Sequence, residues 1–190
     1  MRKLIFFLWV LSATSAWAKN AIKPNTGINL PLTQQSDMQA SLIDKILPSI
    51  VTVRVPNLNK HEQGSGIIIN DEGWVITSSH LIGSNDTAEI TFFDGEKIKA
   101  SVLSQDEEAD CAILQIKKNN LAPAKLGDSD KARIGEIVFA LGNPFGFGIS
   151  ASQGIISGLS REFSEQNLAN FMQTDAAINS GNSGGPLVNA

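Results

Sequence analysis

The chain has 190 residues, with 15 Lys and Arg against 19 Asp and Glu, a net charge of −4, and one cysteine. The acidic balance, with no basic block and no interleaving of basic and aromatic residues, argues against nucleic acid as a partner. A single cysteine excludes an internal disulfide framework, so the fold must rest on its apolar core.

In chain order, residues 1–18 read as an export signal. Arg2 and Lys3 form a positive start, Leu4 to Leu11 is an apolar run, and Ala16-Trp17-Ala18 supplies small residues around a cleavage predicted after Ala18. That run is short against the roughly 20 residues that span a bilayer. No second long apolar run follows, so no integral membrane segment is expected once the signal leaves. The remaining 13 basic and 19 acidic residues give a net charge of −6. An exported domain without disulfides suits a bacterial periplasm.

Lys19 to about Gln35 is polar, with Pro24, Gly27 and Pro31, and reads as a flexible lead-in. Asp37 to Leu47 places Met38, Leu42, Ile43, Ile46 and Leu47 at helical spacing, which Pro48 ends. Short β-like runs come next: Ile50 to Val55, Gly66 to Ile69 and Trp74 to Thr77, the last two joined by the turn Asn70-Asp71-Glu72-Gly73. Ala88 to Phe93 and Ile98 to Ser104 flank the hairpin signal Asp94-Gly95. Ala112 to Ile116, Ile137 to Leu141, Ser152 to Leu159 and Phe171 to Asp175 complete the series. Strands this short and numerous predict an all-β barrel or sandwich. The polar stretch Lys117 to Pro123 is the candidate boundary between two β modules. Cys111, beside Ala112-Ile113-Leu114, is expected to be a buried small hydrophobe.

The most specific segment is Asn179-Ser180-Gly181-Asn182-Ser183-Gly184-Gly185-Pro186-Leu187. A serine between glycines that let the chain turn back on itself suits a nucleophile with its own oxyanion hole, built from the N–H groups of Gly181 and Ser183. A serine hydroxyl needs a base to take its proton. Of the two histidines, His61 lies in a polar loop and reads as a surface residue. His80 follows the strand Trp74 to Thr77 and is placed at a strand end on the rim of the first module. Asp110, opening the strand Cys111 to Leu114, is the candidate to orient it. Taken singly, His80 reads more readily as structural than catalytic, and Asp110 at least as readily as a strand-start cap. Together, the order His80, Asp110, Ser183 is that of the chymotrypsin arrangement, with base and acid in one module and nucleophile in the next.

These stretches resemble the HtrA (DegP/Do-like) family of exported serine proteases. The resemblance is carried by Gly64-Ser65-Gly66-Ile67-Ile68-Ile69, Asp71 to Thr77, His80, Asp110-Cys111-Ala112-Ile113-Leu114 and Leu126-Gly127-Asp128-Ser129. It continues with Ile134-Gly135-Glu136, Ala140-Leu141-Gly142-Asn143-Pro144-Phe145-Gly146 and Gln173 through Leu187, and so covers about residues 40–190. Departures are mild: Ser78-Ser79 where asparagines are usual, Cys111 for an aliphatic residue, Ser180 for a proline. The resemblance implies a chymotrypsin-like double β-barrel, with the flexible segment over 19–40 and the two barrels over 41–118 and 119–190. It implies His80, Asp110 and Ser183 as the triad, an oxyanion hole from Gly181 and Ser183, and no metal or cofactor. It further implies unfolded or misfolded exported proteins as substrates, and a homotrimer. Leu141 to Ile149 resembles the family's activation loop, and its plainer reading is a hairpin connection with Phe145 and Phe147 packed inward. Family members continue past the serine motif with further strands and PDZ domains, so an incomplete second barrel is expected here. The competing function is a non-catalytic polypeptide-binding β-domain or a degenerate protease remnant.

Overall fold

The computed structural model describes residues 31–56, 62–143, 148–161 and 171–189. The signal segment, His61, Phe145 and Phe147 lie outside the described residues.

Pro31 precedes the first helix, α1 (Leu32–Ile46). It begins five residues before the position its apolar spacing predicts. The added turn, Leu32-Thr33-Gln34-Gln35-Ser36, has no buried face for periodicity to detect, and Leu32 is exposed. A start just after proline needs no such face, because the ring presets helical φ and removes an N–H that would be orphaned anyway.

Six strands follow: β1 (Ile50–Val55), β2 (Glu62–Ile68), β3 (Trp74–Thr77), β4 (Thr87–Thr91), β5 (Lys97–Asp106) and β6 (Cys111–Gln115). All pair antiparallel and close into a barrel in the order β1-β2-β3-β6-β5-β4. Alternation determines which side chains enter it. Val53 lies opposite Ile90, Ala88 opposite Ala100 and Val75 opposite Leu114, and all six are buried. With Val51, Val55, Ile68, Leu81, Ile82 and Ile116 they form one core, and each fully buried aliphatic side chain contributes about 2 kcal/mol. Closure leaves this barrel without a free edge.

The stretch 117–123 runs as an irregular connection, as its polarity suggested, and Ala124 N–H bonds back to the Ile68 carbonyl at 2.8 Å. A four-stranded sheet follows in the order β10-β7-β8-β9, from β7 (Ile137–Gly142), β8 (Ser150–Arg161), β9 (Phe171–Thr174) and β10 (Leu187–Asn189). Its inner face joins Phe139 and Leu141 to Ile50, with Leu42, Ile43 and Ile46 of α1 packed against them. That helix therefore bridges the two halves. Among the described residues this sheet, unlike the first barrel, is open, and Ile137, Ile155 and Met172 remain partly exposed on it. Among the described residues the architecture is a closed barrel with a partial second sheet, in line with the expected double barrel whose second half is incomplete.

Cys111 departs from expectation. It sits at the start of β6 opposite Asp106 and is only half-buried. Partial burial, then the negative charges of Asp106 and Asp110, push its thiol above the ordinary range. The thiolate is the reactive form, so iodoacetamide should modify Cys111 at neutral pH severalfold more slowly than a cysteine in an unfolded peptide. The rate should climb only on the alkaline side of about pH 8.5. Peptide mass spectrometry over a time course reads this directly, and equal rates would contradict it.

Candidate active site

His80 is placed by a single helical turn, α2 (Ser79–Ile82), not by the strand end that the sequence pattern suggested. Leu81 and Ile82 are buried in the barrel core and pin the turn, which turns His80 outward with 60 % of its side chain exposed. The turn is stapled from both ends. Asn85 donates to the Ile82 carbonyl, and the Gln105 amide reaches the Ser79 hydroxyl at 3.1 Å and the Gly83 carbonyl at 2.9 Å.

Asp110 ends the tight turn Glu107-Glu108-Ala109-Asp110 with φ of 48°, an uncommon backbone for a residue with a side chain. Its carboxylate explains the strain. Oδ1 accepts the backbone N–H of His80 at 2.9 Å, and Nδ1 of the imidazole lies 2.8 Å from Oδ2 and 3.0 Å from Oδ1. An ionised carboxylate only accepts. Nδ1 of His80 therefore carries the proton, and in the neutral ring Nε2 keeps its lone pair.

Ser183 comes from the loop between β9 and β10. Two successive turns shape it, with Asn182 N–H donating to the Asn179 carbonyl at 3.0 Å and Gly185 N–H to the Asn182 carbonyl at 2.8 Å. The loop docks on the first barrel at β2, where Ser65 N–H donates to the Ser183 carbonyl at 2.8 Å and Ser65 Oγ donates to the Gly181 carbonyl at 2.8 Å. A Cβ at Gly64 would lie 2.8 Å from the Ser183 carbonyl and 2.7 Å from Leu81, the neighbour of His80. One glycine thus separates the serine loop from the histidine turn.

His80 and Asp110 are hydrogen-bonded to each other, and the serine loop lies against the same strand as the turn that carries His80. The Ser183 hydroxyl itself makes no hydrogen bond to His80 among the described residues. Nor do the N–H groups of Gly181 and Ser183 donate to any acceptor there, while the carbonyls around them are held. Asn182 Oδ1 is a buried acceptor without a partner among the described residues, beside Gly142. No cluster of three or more metal-binding side chains occurs among the described residues.

The joint residues Ser65, Thr77, Gln105 and Asn143 carried no role in the sequence reading. The available signal was the run Gly64-Ser65-Gly66 inside a strand, since glycine there marks a place where other backbone approaches closely.

Residues 64–190 match the family described as the trypsin-like peptidase domain. The periplasmic pH-dependent serine endoprotease DegQ of Escherichia coli K12 is 37 % identical, over 79 % of this chain and 39 % of its own length. Periplasmic serine endoprotease DegP of the same strain is 44 % identical, over 66 % of this chain and 27 % of its own. The chain belongs to the HtrA family of trypsin-like serine proteases. A solved structure titled HtrA-type protease AlgW with tripeptide superposes with a TM-score of 0.74 at 36 % identity, covering 79 % of this chain and 50 % of that one. The chain thus spans well under half the length of these two curated HtrA relatives. No helix among the described residues is long and apolar enough to cross a membrane.

Proposed function

We propose that this HtrA-family chain carries the catalytic centre of a serine endopeptidase that cleaves unfolded or misfolded exported proteins in the periplasm. The observation that carries the reading is Asp110 gripping both the imidazole and the backbone N–H of His80, beside the strand on which the Ser183 loop docks. In this reading Ser183 attacks the scissile carbonyl and His80 Nε2 takes its proton. Asp110 stabilises the imidazolium, and the Gly181 and Ser183 amides receive the oxyanion. His80 then protonates the leaving amine and activates the water that releases the acyl group. No metal or cofactor enters these steps. The hydrogen bond between Ser183 and His80 forms as substrate covers the exposed imidazole, in keeping with catalytic contacts that tighten in the complex. The periplasmic setting follows its periplasmic relatives and the export signal read in residues 1–18, and a homotrimer belongs to the same reading.

A fluorophosphonate probe should label the folded chain at Ser183 and nowhere else, and Ser183→Ala should remove the label. Folded protein that takes no label would withdraw the hydrolytic role and leave the polypeptide-binding alternative.

A further inference from the structure

Ser65 is fully buried, and all its polar groups are engaged. Its N–H donates to the Ser183 carbonyl at 2.8 Å, and its carbonyl accepts the Thr77 hydroxyl at 2.7 Å. A hydroxyl has one proton to give, and Oγ gives it to the Gly181 carbonyl at 2.8 Å while accepting the Asn143 N–H at 2.9 Å. One side chain therefore joins β2 and the end of β7 to the nucleophile loop, across 116 residues of sequence from Ser65 to Gly181.

A peptide group is planar, so an N–H takes its direction from the carbonyl of the preceding residue. The Ser183 N–H is set by the Asn182 carbonyl, which the Gly185 N–H holds at 2.8 Å, and the Gly181 and Ser183 carbonyls held by Ser65 fix the peptide planes on either side of it. Fixing the Gly181 and Ser183 carbonyls, together with the Gly185 bond to the Asn182 carbonyl, leaves the peptide planes around Ser183 little freedom. Glycines at 181, 184 and 185 offer no such restraint, because their backbone swings easily between hands.

We propose that Ser65 is a positioning residue for the reaction: it holds the serine loop in the one shape that leaves the Gly181 and Ser183 amides free to receive an oxyanion. The proposal rests on Ser183 being the nucleophile. Its contribution is felt in the transition state, where the oxyanion forms, and little in substrate binding. A purely structural role would lower the amount of folded protein without changing the rate of each folded molecule.

The test counts active sites first, from the endpoint of fluorophosphonate labelling of the full chain, and then measures rates per labelled site. Ser65→Ala should lower the acylation rate and the kcat of a peptide substrate by roughly 30- to 100-fold per site, with KM changed less than about threefold. Ser65→Cys keeps the side chain's shape with weaker hydrogen bonds, and should fall by about tenfold or more even if the alanine variant folds poorly. Per-site rates within about threefold of the unaltered chain in either folded variant overturn the role of Ser65 and leave the nucleophile in place. An unaltered chain that takes no label overturns the nucleophile assignment itself, and the positioning role with it.

Discussion

Asp110→Asn is expected to reduce kcat by roughly 10⁴-fold while leaving KM and folding stability little changed. The substitution keeps the shape and exchanges one acceptor for a donor. The His80 backbone N–H points at Oδ1, so the amide oxygen must settle there and the NH₂ must face Nδ1 from the Oδ2 position. A donor against Nδ1 drives the imidazole proton to Nε2, the atom from which the base should act. Urea unfolding of the variant and steady-state kinetics on a peptide separate the two effects. A loss below about tenfold would mean that Asp110 only caps the histidine turn.

The second large effect concerns stability. Gly184 has φ of 78°, and a Cβ there would strike the Ser65 carbonyl and the Thr77 hydroxyl and lie 2.8 Å from the Ser78 N–H. These groups belong to β2 and to the end of β3, so a closed barrel stands behind them. Gly184→Ala should destabilise the chain by about 3–5 kcal/mol and remove activity. Gly135 supplies the control, with φ of 94° and open space around it. Gly135→Ala carries only the conformational penalty, about 1–2 kcal/mol. Urea midpoints for the two variants measure the difference, and equal shifts would show that the serine loop is not wedged against the barrel.

How much was legible in the residues depends on the range of the interaction. Ile50 to Val55 and Trp74 to Thr77 agree with β1 and β3 at both ends, because alternation and the bounding Pro48, Pro56 and Gly73 are local signals. A single-turn helix at Ser79 to Ile82 has no periodicity to display, so His80 was expected on a strand end. Asp110 was readable as a charge at the mouth of an apolar strand, but its positive φ was not. Nothing in Ala109-Asp110-Cys111 demands that backbone, and the pull comes from the His80 N–H, 30 residues away. The role of Ser65 was invisible for the same reason, since its partners belong to other segments.

That dependence on distant partners has a temporal consequence. The first barrel draws its strands from residues 50–115 and can close before Ser183 reaches its seat. The seat is made of Ser65 and Thr77, so under the proposed function hydrolytic competence arrives with the final docking step. A half-finished molecule, or one whose halves have come apart, has no anchored amides with which to cut. In the proposed reading, newly exported copies are thereby spared attack from their own immature siblings while many fold side by side.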